Sequence, residues 1–264
     1  MQGRVLIIAG SDSGGGAGIQ ADIKTVTALG GYAMTAVTAV TVQNTLGVTG
    51  VHAIPTDIIA AQARAVLSDL GADVIKTGML GSAKVVELVA ELLDEAGLPA
   101  VVDPVMIAKG GEPLIAERAI TAMRDLLVRR AALLTPNAPE AEALTGLPVT
   151  TLDEARRAGD RLLGMGARAV LMKGGHVPGD AVVDLLISDA GETLFEQARI
   201  ETRHTHGTGC TLASACAAGL AQGLPVTEAV ARAWAYTGEA IRRAPGFGRG
   251  HGPLDHGWPL RDRA

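Results

Sequence analysis

Cysteine and aromatic residues are scarce in this chain of 264 residues, which has two cysteines and 2% aromatic residues. Cys210 and Cys216 lie six residues apart in a predicted helix, a separation of about 9 Å that one disulfide does not bridge. So few cysteines exclude a disulfide framework and are typical of a reducing compartment. We therefore expect a cytoplasmic protein.

Long hydrophobic runs are missing as well. The amino-terminal run at 5–9 is too short for the apolar region of a signal peptide. The stretch at 32–42 contains three threonines and is shorter than the roughly 20 residues that a membrane-spanning helix needs. We expect neither an export signal nor a membrane segment.

No excess of positive charge is present. Lysine and arginine number 23 and aspartate and glutamate 28, so the formal net charge is −5. This balance gives no electrostatic footprint for nucleic acid or for an anionic membrane. The 48% hydrophobic content and the 34 glycines instead indicate a globular protein built on small and aliphatic residues.

Short aliphatic runs alternate with longer segments of helical period, a pattern typical of βαβ units. It predicts a three-layer α/β sandwich in which helices flank a mostly parallel central sheet, with residues 1–264 as a single domain. The predicted strands are 5–9, 35–42, 74–77, 100–103, 133–135, 169–172 and an antiparallel pair at 182–187 and 193–198. The predicted helices are 18–29, 55–70, 83–96, 115–129, 138–144, 152–165, 208–221 and 226–242. The tail at 245–264 is expected to be irregular, with His251 and His256 at the surface.

A first glycine-rich loop, residues 10–18, follows a strand and opens a helix. Its backbone N–H groups could approach a ligand, or its glycines could serve turn geometry alone. A dinucleotide site is disfavoured, because the spacing is not G-x-G-x-x-G and the second strand ends in Gln43 and Asn44 rather than an acid. The chain contains no Gly-Lys dipeptide, so a Walker loop is excluded.

A second glycine loop precedes the helix of small residues at 208–221. The amides of Gly207, Thr208 and Gly209 at a helix start could form an anion hole for a phosphoryl group. Cys210 would then lie at the positive end of the helix, where a thiol pKa is lowered. The alternative is a tight turn followed by a core helix with a buried cysteine. His204 and His206 lack a third ligand at a recognisable spacing and are expected to be loop histidines.

Polar residues also follow three predicted strands. Asn137 and Glu140 share the first turn of a helix, where they could orient Mg²⁺ or form a capping box. Asp103 could help to hold the metal, and Lys173 could contact a nucleotide phosphate; either could equally be a strand-end charge in solvent. All lie at carboxyl ends of predicted parallel strands, the edge where open α/β sheets bind ligands.

Together these segments resemble the hydroxymethylpyrimidine/phosphomethylpyrimidine kinases of thiamine biosynthesis, within the ribokinase-like superfamily. The resemblance runs nearly from end to end, and Gln43-Asn44-Thr45 and the loop ending in Cys210 are its narrower motifs. Most of the superfamily has Asp where Cys210 stands. The matching segments are 8–13, 15–22, 41–45, 76–80, 103–106, 134–137, 139–141, 170–176 and 205–211.

The resemblance implies ATP- and Mg²⁺-dependent phosphorylation of 4-amino-5-hydroxymethyl-2-methylpyrimidine and then of its monophosphate. It also implies a homodimer, because the fold family commonly forms dimers. It implies the following roles: pyrimidine binding by Gln43, Gly10, Ala17, Met79 and Val105; an anion hole from Gly207, Thr208 and Gly209; activation of the alcohol by Cys210; Mg²⁺ binding by Asp103, Asn137 and Glu140; and nucleotide binding by Lys173, Asn137 and Thr208.

The chain departs from this family at one visible position. Trp234 stands where many members carry a lysine near the nucleotide. Two other readings stay open: a pyridoxal or pyridoxine kinase of the same fold, whose substrate is also a flat heterocycle with a hydroxymethyl group, and a non-catalytic protein that binds such a heterocycle.

Overall fold

The computed structural model describes residues 2–106, 117–176 and 179–262. Within these ranges nine strands form one sheet in the order β3-β2-β1-β4-β5-β6-β7-β8-β9. The strands are β1 (Arg4–Ser11), β2 (Tyr32–Asn44), β3 (Gly47–Ala53), β4 (Val74–Thr77), β5 (Ala100–Val102), β6 (Leu133–Leu134), β7 (Ala169–Met172), β8 (Ala181–Ser188) and β9 (Gly191–Ala198).

Helices cover both faces of this sheet. They are α1 (Gly18–Ala28), α2 (Thr56–Asp69), α3 (Ala83–Ala96), α4 (Glu117–Ala122), α5 (Ala138–Thr145), α6 (Leu152–Gly164), α7 (Thr208–Ala221), α8 (Val226–Arg242) and α9 (Trp258–Arg261). None of the helices in the described ranges is both long and apolar enough to cross a membrane.

The residues of β1 show how the two layers form. Leu6 and Ile8 pack into the core that α2 to α6 share, whereas Val5, Ile7 and Ala9 pack into the core of α1, α7 and α8. Because successive strand residues point to opposite faces, a continuous apolar run is buried on both sides. The predicted three-layer α/β sandwich is therefore confirmed.

Parallel pairing joins β2, β1, β4, β5, β6 and β7, so their carboxyl ends meet at one edge of the sheet. The chain adds β2 on one side of β1 and β4 on the other. Such a reversal opens a crevice outside the carboxyl ends of the strands. The predicted antiparallel pair is confirmed as β8 and β9, which add to the edge beyond β7.

Three elements differ from the sequence-based expectation. The strand β3 was not predicted; it pairs antiparallel with β2, which runs longer than 35–42. Residues 115–116 of the predicted helix 115–129 lie outside the described ranges, and the rest divides into α4, a π-helical turn (Met123–Leu127) and a 3₁₀ turn (Val128–Arg130). The wider turn lets residues 123, 127 and 128 all be fully buried.

The carboxyl-terminal tail was predicted to be irregular with both histidines at the surface, and this was wrong for His256. His251 is exposed, but His256 is only 4% exposed. Its Nε2 lies 3.0 Å from Thr211 Oγ1 in α7, and its carbonyl oxygen accepts the Tyr236 hydroxyl at 2.7 Å. The tail ends in α9, so it packs as part of the helical layer.

Candidate active site

A cavity of about 780 Å³ opens at the carboxyl edge of the parallel strands. Its volume lies within the range of small-molecule sites. The structure brings all of the predicted site residues to its wall: Gly10, Ala17, Gln43, Met79, Asp103, Val105, Asn137, Glu140, Lys173, Gly207, Thr208, Gly209 and Cys210. They meet there because each lies in the last residues of a strand, follows a strand or lies at the start of a helix at this edge.

The first glycine loop is organised around the carboxylate of Asp12. Its oxygens accept the backbone N–H groups of Gly14 at 2.7 Å, Gly16 at 3.0 Å and Ala17 at 2.8 Å. Burial would raise the pKa of Asp12, but the contact with His206 and these N–H groups hold it below its ordinary value. These three amides are therefore already occupied, and turn geometry accounts for the loop better than anion binding does.

His206 was expected to be an ordinary loop histidine, yet it is buried and joins the two glycine loops. Its Nε2 lies 2.8 Å from Asp12 Oδ2 and 3.4 Å from Gln43 Nε2. The loops also touch through their backbones, since a β carbon on Gly207 would lie 1.8 Å from the Gly16 carbonyl oxygen. Gly207 has φ of 85°, and no larger residue fits there.

Gln43 presents its side-chain amide to the cavity beside the two glycine loops. The hydroxyl oxygen of Thr41 lies 3.1 Å from Gln43 Oε1 and 2.9 Å from the Ser11 carbonyl oxygen. A shift of register between Val42 and Gln43 marks where the strand leaves regular pairing with β3. The amide is thus fixed between Thr41 and His206, with a donor and an acceptor in one plane for a polar heterocycle.

The second glycine loop forms the amino terminus of α7. Helix geometry leaves the N–H groups of Gly209 and Cys210 without an intrahelical acceptor, and the helix dipole adds positive potential there. The Thr208 hydroxyl donates to the Thr205 carbonyl at 2.8 Å, and the Thr211 hydroxyl donates to the Gly207 carbonyl at 2.8 Å. The loop is rigid and suited to bind negative charge.

Cys210 lies on the cavity wall, but its thiol pKa is not lowered as the helix position predicted. Burial raises the pKa of the thiol to about 12, although the Lys76 ammonium and the Gly18 N–H act to lower it. The expectation failed because loss of water outweighs the helix terminus. Both cysteines carry free thiols, as expected.

A buried charge cluster lies beside the loop. Lys173 Nζ is 3.0 Å from Asp103 Oδ1 and 3.6 Å from Glu140 Oε2, and the Thr135 hydroxyl donates to Asp103 at 3.1 Å. Burial opposes the charge on Lys173, yet the two carboxylates hold its pKa above the ordinary value. The expectation that Asp103 and Lys173 could be strand-end charges in solvent does not hold.

Asn137 and Glu140 form the capping box of α5. The Asn137 side chain accepts the Glu140 N–H at 2.9 Å, and Glu140 accepts the Asn137 N–H at 2.8 Å. Glu140 is also buried, and burial raises its pKa to about 7, with Asp103 adding to the rise and Lys173 opposing it. Two buried carboxylates facing one ammonium leave room for further positive charge.

This donor set fits Mg²⁺. Carboxylate and amide oxygens are its preferred protein ligands, and Mg²⁺ keeps waters and substrate phosphates as the remaining ones. Within the described ranges no group of three or more His, Cys, Asp and Glu side chains forms a cage for a metal. Asp103, Asn137 and Glu140 therefore suit a cation shared with phosphates rather than a closed metal site.

A further part of the cavity wall is formed by α8 and β9. Trp234 lies there, with its ring 6.0 Å from that of Phe195 at 39°. The Thr237 hydroxyl and the Trp234 indole N–H are buried without a hydrogen-bond partner in the described part of the chain. Asp184 accepts the Gly174 N–H at 2.7 Å nearby. This part of the wall therefore combines an aromatic pair with two polar atoms that have no partner among the described residues.

Sequence reasoning gave no role to Asp12, His206 or Lys76. The Asp12 signal is an Asx turn, since its carboxylate bonds the amide two residues on in a glycine-rich loop. The Lys76 signal is a charge inside an aliphatic strand, which needs a buried partner. His206 has no local signal, because its partners are distant in the chain.

Comparison with known proteins places this geometry in context. Residues 12–255 match the family described as phosphomethylpyrimidine kinase. A hydroxymethylpyrimidine/phosphomethylpyrimidine kinase of Streptomyces coelicolor is 50% identical over 256 residues, 97% of this chain and 95% of that protein. A thiamine biosynthesis bifunctional protein of Geobacter sulfurreducens is 52% identical over 97% of this chain, which spans about half (52%) of that protein.

Solved structures show the same fold. The ADP complex of Bacillus subtilis pyridoxal kinase has a TM-score of 0.91 and 36% identity, with 99% of both chains covered. The phosphomethylpyrimidine kinase of Clostridium difficile has a TM-score of 0.81 and 40% identity, with 90% of this chain and 99% of that chain covered.

Proposed function

The chain belongs to the phosphomethylpyrimidine kinase family, and from that membership and the cavity we propose that it phosphorylates 4-amino-5-hydroxymethyl-2-methylpyrimidine with ATP and then phosphorylates the monophosphate to the diphosphate. It is a phosphotransferase of thiamine biosynthesis. The observation that carries the proposal is one cavity lined by the side-chain amide of Gln43, by Cys210 with its glycine loop, and by the charge cluster around Lys173.

The transfer step uses the residues of α7 and its loop. The hydroxyl oxygen of the substrate forms a bond to the γ-phosphorus of ATP, the bond from that phosphorus to the bridging oxygen breaks, and ADP leaves. The hydroxyl proton passes to the Cys210 thiolate, which is the minor form of a thiol whose pKa burial raises to about 12. The amides of Gly207, Gly209 and Cys210 stabilise the negative charge on the transferred group, which is the main contribution a protein makes to such a step. The Thr208 N–H, which was also expected to take part, donates instead to the Thr205 carbonyl at 3.3 Å.

Other residues bind and orient the two substrates. Gln43 binds the aminopyrimidine edge, with Gly10, Ala17, Met79 and Val105 around the ring. Lys173, Asn137 and Thr208 bind the nucleotide phosphates. Asp103, Asn137 and Glu140 would hold Mg²⁺, which neutralises phosphate charge when bound.

The test is a product assay by mass spectrometry that offers the aminopyrimidine alcohol and pyridoxal side by side with ATP and Mg²⁺. We expect a monophosphate and then a diphosphate of the pyrimidine, with release of ADP. Phosphate on pyridoxal alone would overturn the proposal. No ADP release with either substrate would point to the non-catalytic binding protein instead.

Pyridoxal phosphorylation is the second candidate. It is supported by the TM-score of 0.91 to pyridoxal kinases, against 0.81 for the phosphomethylpyrimidine kinase structure. The 50% identity to a pyrimidine kinase supports the first candidate more strongly. One fold can bind different substrates, so sequence identity indicates the substrate better than similarity of the fold does. The same assay distinguishes the two, and a minor pyridoxal product is compatible with both.

We also propose that residues 1–264 act as a single cytoplasmic kinase domain that forms a homodimer. Support comes from the hairpin of β2 and β3, since β3 is an edge strand and Val42 and Val51 are 62% and 54% exposed. Unpaired edges with apolar side chains favour association with another chain. Sedimentation of the wild type and of Val42→Lys tests this: we expect a dimer and a monomer, and equal masses would contradict the hairpin interface.

A further inference from the structure

A buried ion pair lies beneath the floor of the cavity, and no role described above uses it. Lys76 in β4 and Asp22 in α1 are both 0% exposed. Lys76 Nζ lies 3.0 Å from each carboxylate oxygen of Asp22, and the Ser214 hydroxyl donates to Asp22 Oδ1 at 2.6 Å. Burying two charges costs solvation that their attraction need not return, so stability alone is a weak reason for the pair.

The Lys76–Asp22 pair lies one helical turn below the level of Cys210. Gly18 and Asp22 are one turn apart on α1, and Cys210 and Ser214 are one turn apart on α7. The Gly18 N–H acts to lower the pKa of the Cys210 thiol, and the Ser214 hydroxyl donates to Asp22 one turn deeper. The Ser214–Asp22 hydrogen bond therefore ties α1 to α7, with the ion pair about 6 Å along the helices from the level of the thiol.

The ammonium of Lys76 lies on the side of the ion pair that faces the cavity. Lys76, Gly78 and Cys210 all line the cavity. A β carbon on Gly78 would lie 3.0 Å from Lys76 Nζ, so the charge lies directly under the backbone of the cavity floor. Because both its oxygen partners belong to one carboxylate, the ammonium is held in a fixed position.

Four charged groups among the described residues face Cys210 from the surrounding elements: Lys76 on β4, Asp22 on α1, Asp103 after β5 and Lys173 after β7. Lys173 is shared between Asp103 and Glu140. Lys76 has a single carboxylate partner, and the Ser214 hydroxyl withdraws part of that negative charge. The positive potential of Lys76 at the thiol is therefore less neutralised by neighbouring carboxylates than that of Lys173.

We propose that Lys76 is a positioning residue for phosphoryl transfer: its ammonium, fixed by Asp22 and Ser214, stabilises the Cys210 thiolate that accepts the proton of the substrate hydroxyl. The inference rests on the proposed role of Cys210. It gives a reason for a charged side chain inside a strand that is otherwise aliphatic. In agreement, Lys76 is the group that lowers the pKa of the Cys210 thiol most, against the larger effect of burial.

The experiment measures the rate of iodoacetamide alkylation at Cys210 over a pH series, read by mass spectrometry in a Cys216→Ala background. Lys76→Met removes the cation, and Asp22→Asn removes the opposing charge while keeping hydrogen-bond partners for Lys76 and Ser214. We expect the thiol pKa to rise in Lys76→Met by about half a unit to one unit, so that alkylation at fixed pH slows about three- to ten-fold. In Asp22→Asn we expect a shift in the opposite direction.

The activity profile gives a second readout. At a fixed pH below the thiol pKa, turnover should fall in Lys76→Met and rise in Asp22→Asn, while the KM for ATP stays within about two-fold. If Lys76→Met does not fold, Asp22→Asn and the double variant Asp22→Asn with Lys76→Met carry the test, since they should differ from each other by the effect of the lysine.

Equal alkylation rates at each pH in folded wild type, Lys76→Met and Asp22→Asn would overturn the inference and make the pair structural, even if turnover falls. The proposed function fails separately: full turnover in Cys210→Ala would remove the thiol from the reaction whatever the alkylation series shows.

Discussion

His206 Nε2 and Asp12 Oδ2 lie 2.8 Å apart, although the two residues are 194 positions apart in the chain. This contact joins the loop that follows β1 to the loop that begins α7. The same carboxylate holds three backbone amides of its own loop. One buried aspartate therefore sets the relative position of the heterocycle end and the phosphoryl end of the cavity.

Replacing Asp12 by Asn should loosen both loops. An amide has a single acceptor oxygen and places N–H groups against the loop amides, so we expect a loss of about 1–3 kcal/mol in the free energy of unfolding and a higher KM for the alcohol. Urea unfolding and steady-state kinetics measure the two effects. The exposed Asp69→Asn is the matched control and should change neither. Unchanged stability in Asp12→Asn would show that the loops hold without this carboxylate.

Gln43→Leu should weaken the pyrimidine and leave ATP unaffected. The leucine leaves the polar edge of the ring unpaired in a cavity with little water, which costs about 1–3 kcal/mol, or about 5- to 150-fold in kcat/KM. Kinetics with each substrate varied in turn measures this, with the exposed Asn44→Ala on the same strand as the control. An unchanged kcat/KM for the pyrimidine would remove Gln43 from the site.

Cys210→Ala should lower kcat by about 10²–10⁴ while ATP affinity stays within about two-fold, because the thiolate accepts a proton and the neighbouring amides act on charge. Cys210→Asp should keep measurable turnover, since a carboxylate supplies a base at this position. Isothermal titration and turnover assays measure both. Cys216→Ala, buried on the same helix, serves as the control. Alanine tolerated and aspartate destabilising would show an ordinary buried helix residue.

Glu140→Gln separates the two roles of Glu140. The amide oxygen still accepts the Asn137 N–H, so the capping box persists, but the negative charge that would attract Mg²⁺ is gone. We expect the Mg²⁺ concentration for half-maximal activity to rise several-fold with no loss of melting temperature. Activity titrated with Mg²⁺ and a melting curve measure these. An unchanged Mg²⁺ dependence would leave the capping box as the sole role of Glu140.

Acid should destabilise the protein through His256. Burial lowers the pKa of His256 from 6.5 to about 4, so between these values the unfolded state binds a proton that the folded state does not. Stability is therefore complete above pH 6.5 and falls as pH drops towards 4, by about 3 kcal/mol from this residue. Urea unfolding of wild type and His256→Gln over this range should show that difference, and the exposed His251→Gln should not. Parallel curves for wild type and His256→Gln would contradict it.

The strands and the site edge could be predicted from the sequence because their signals are local. The run at 5–9 is aliphatic on every residue, and such a run forms a strand covered on both faces. Asn137 and Glu140 carry a capping signature within four residues. Parallel strands then bring their carboxyl ends to one edge, which is why residues as distant as Gln43 and Cys210 share one cavity.

The remaining features depend on contacts between distant parts of the chain. The position of His256 was missed because it is buried by packing against α7 and α8, which are distant in the chain. The strand β3 was missed because its two glycines and mostly exposed side chains give no alternating strand pattern. Local sequence patterns were enough for the order of the elements other than β3 and for the identity of the residues at the sheet edge. The protonation of Cys210 depends on groups distant in the chain, since the removal of water, with Asp22 adding to it, raises the thiol pKa more than Lys76 and the helix terminus lower it.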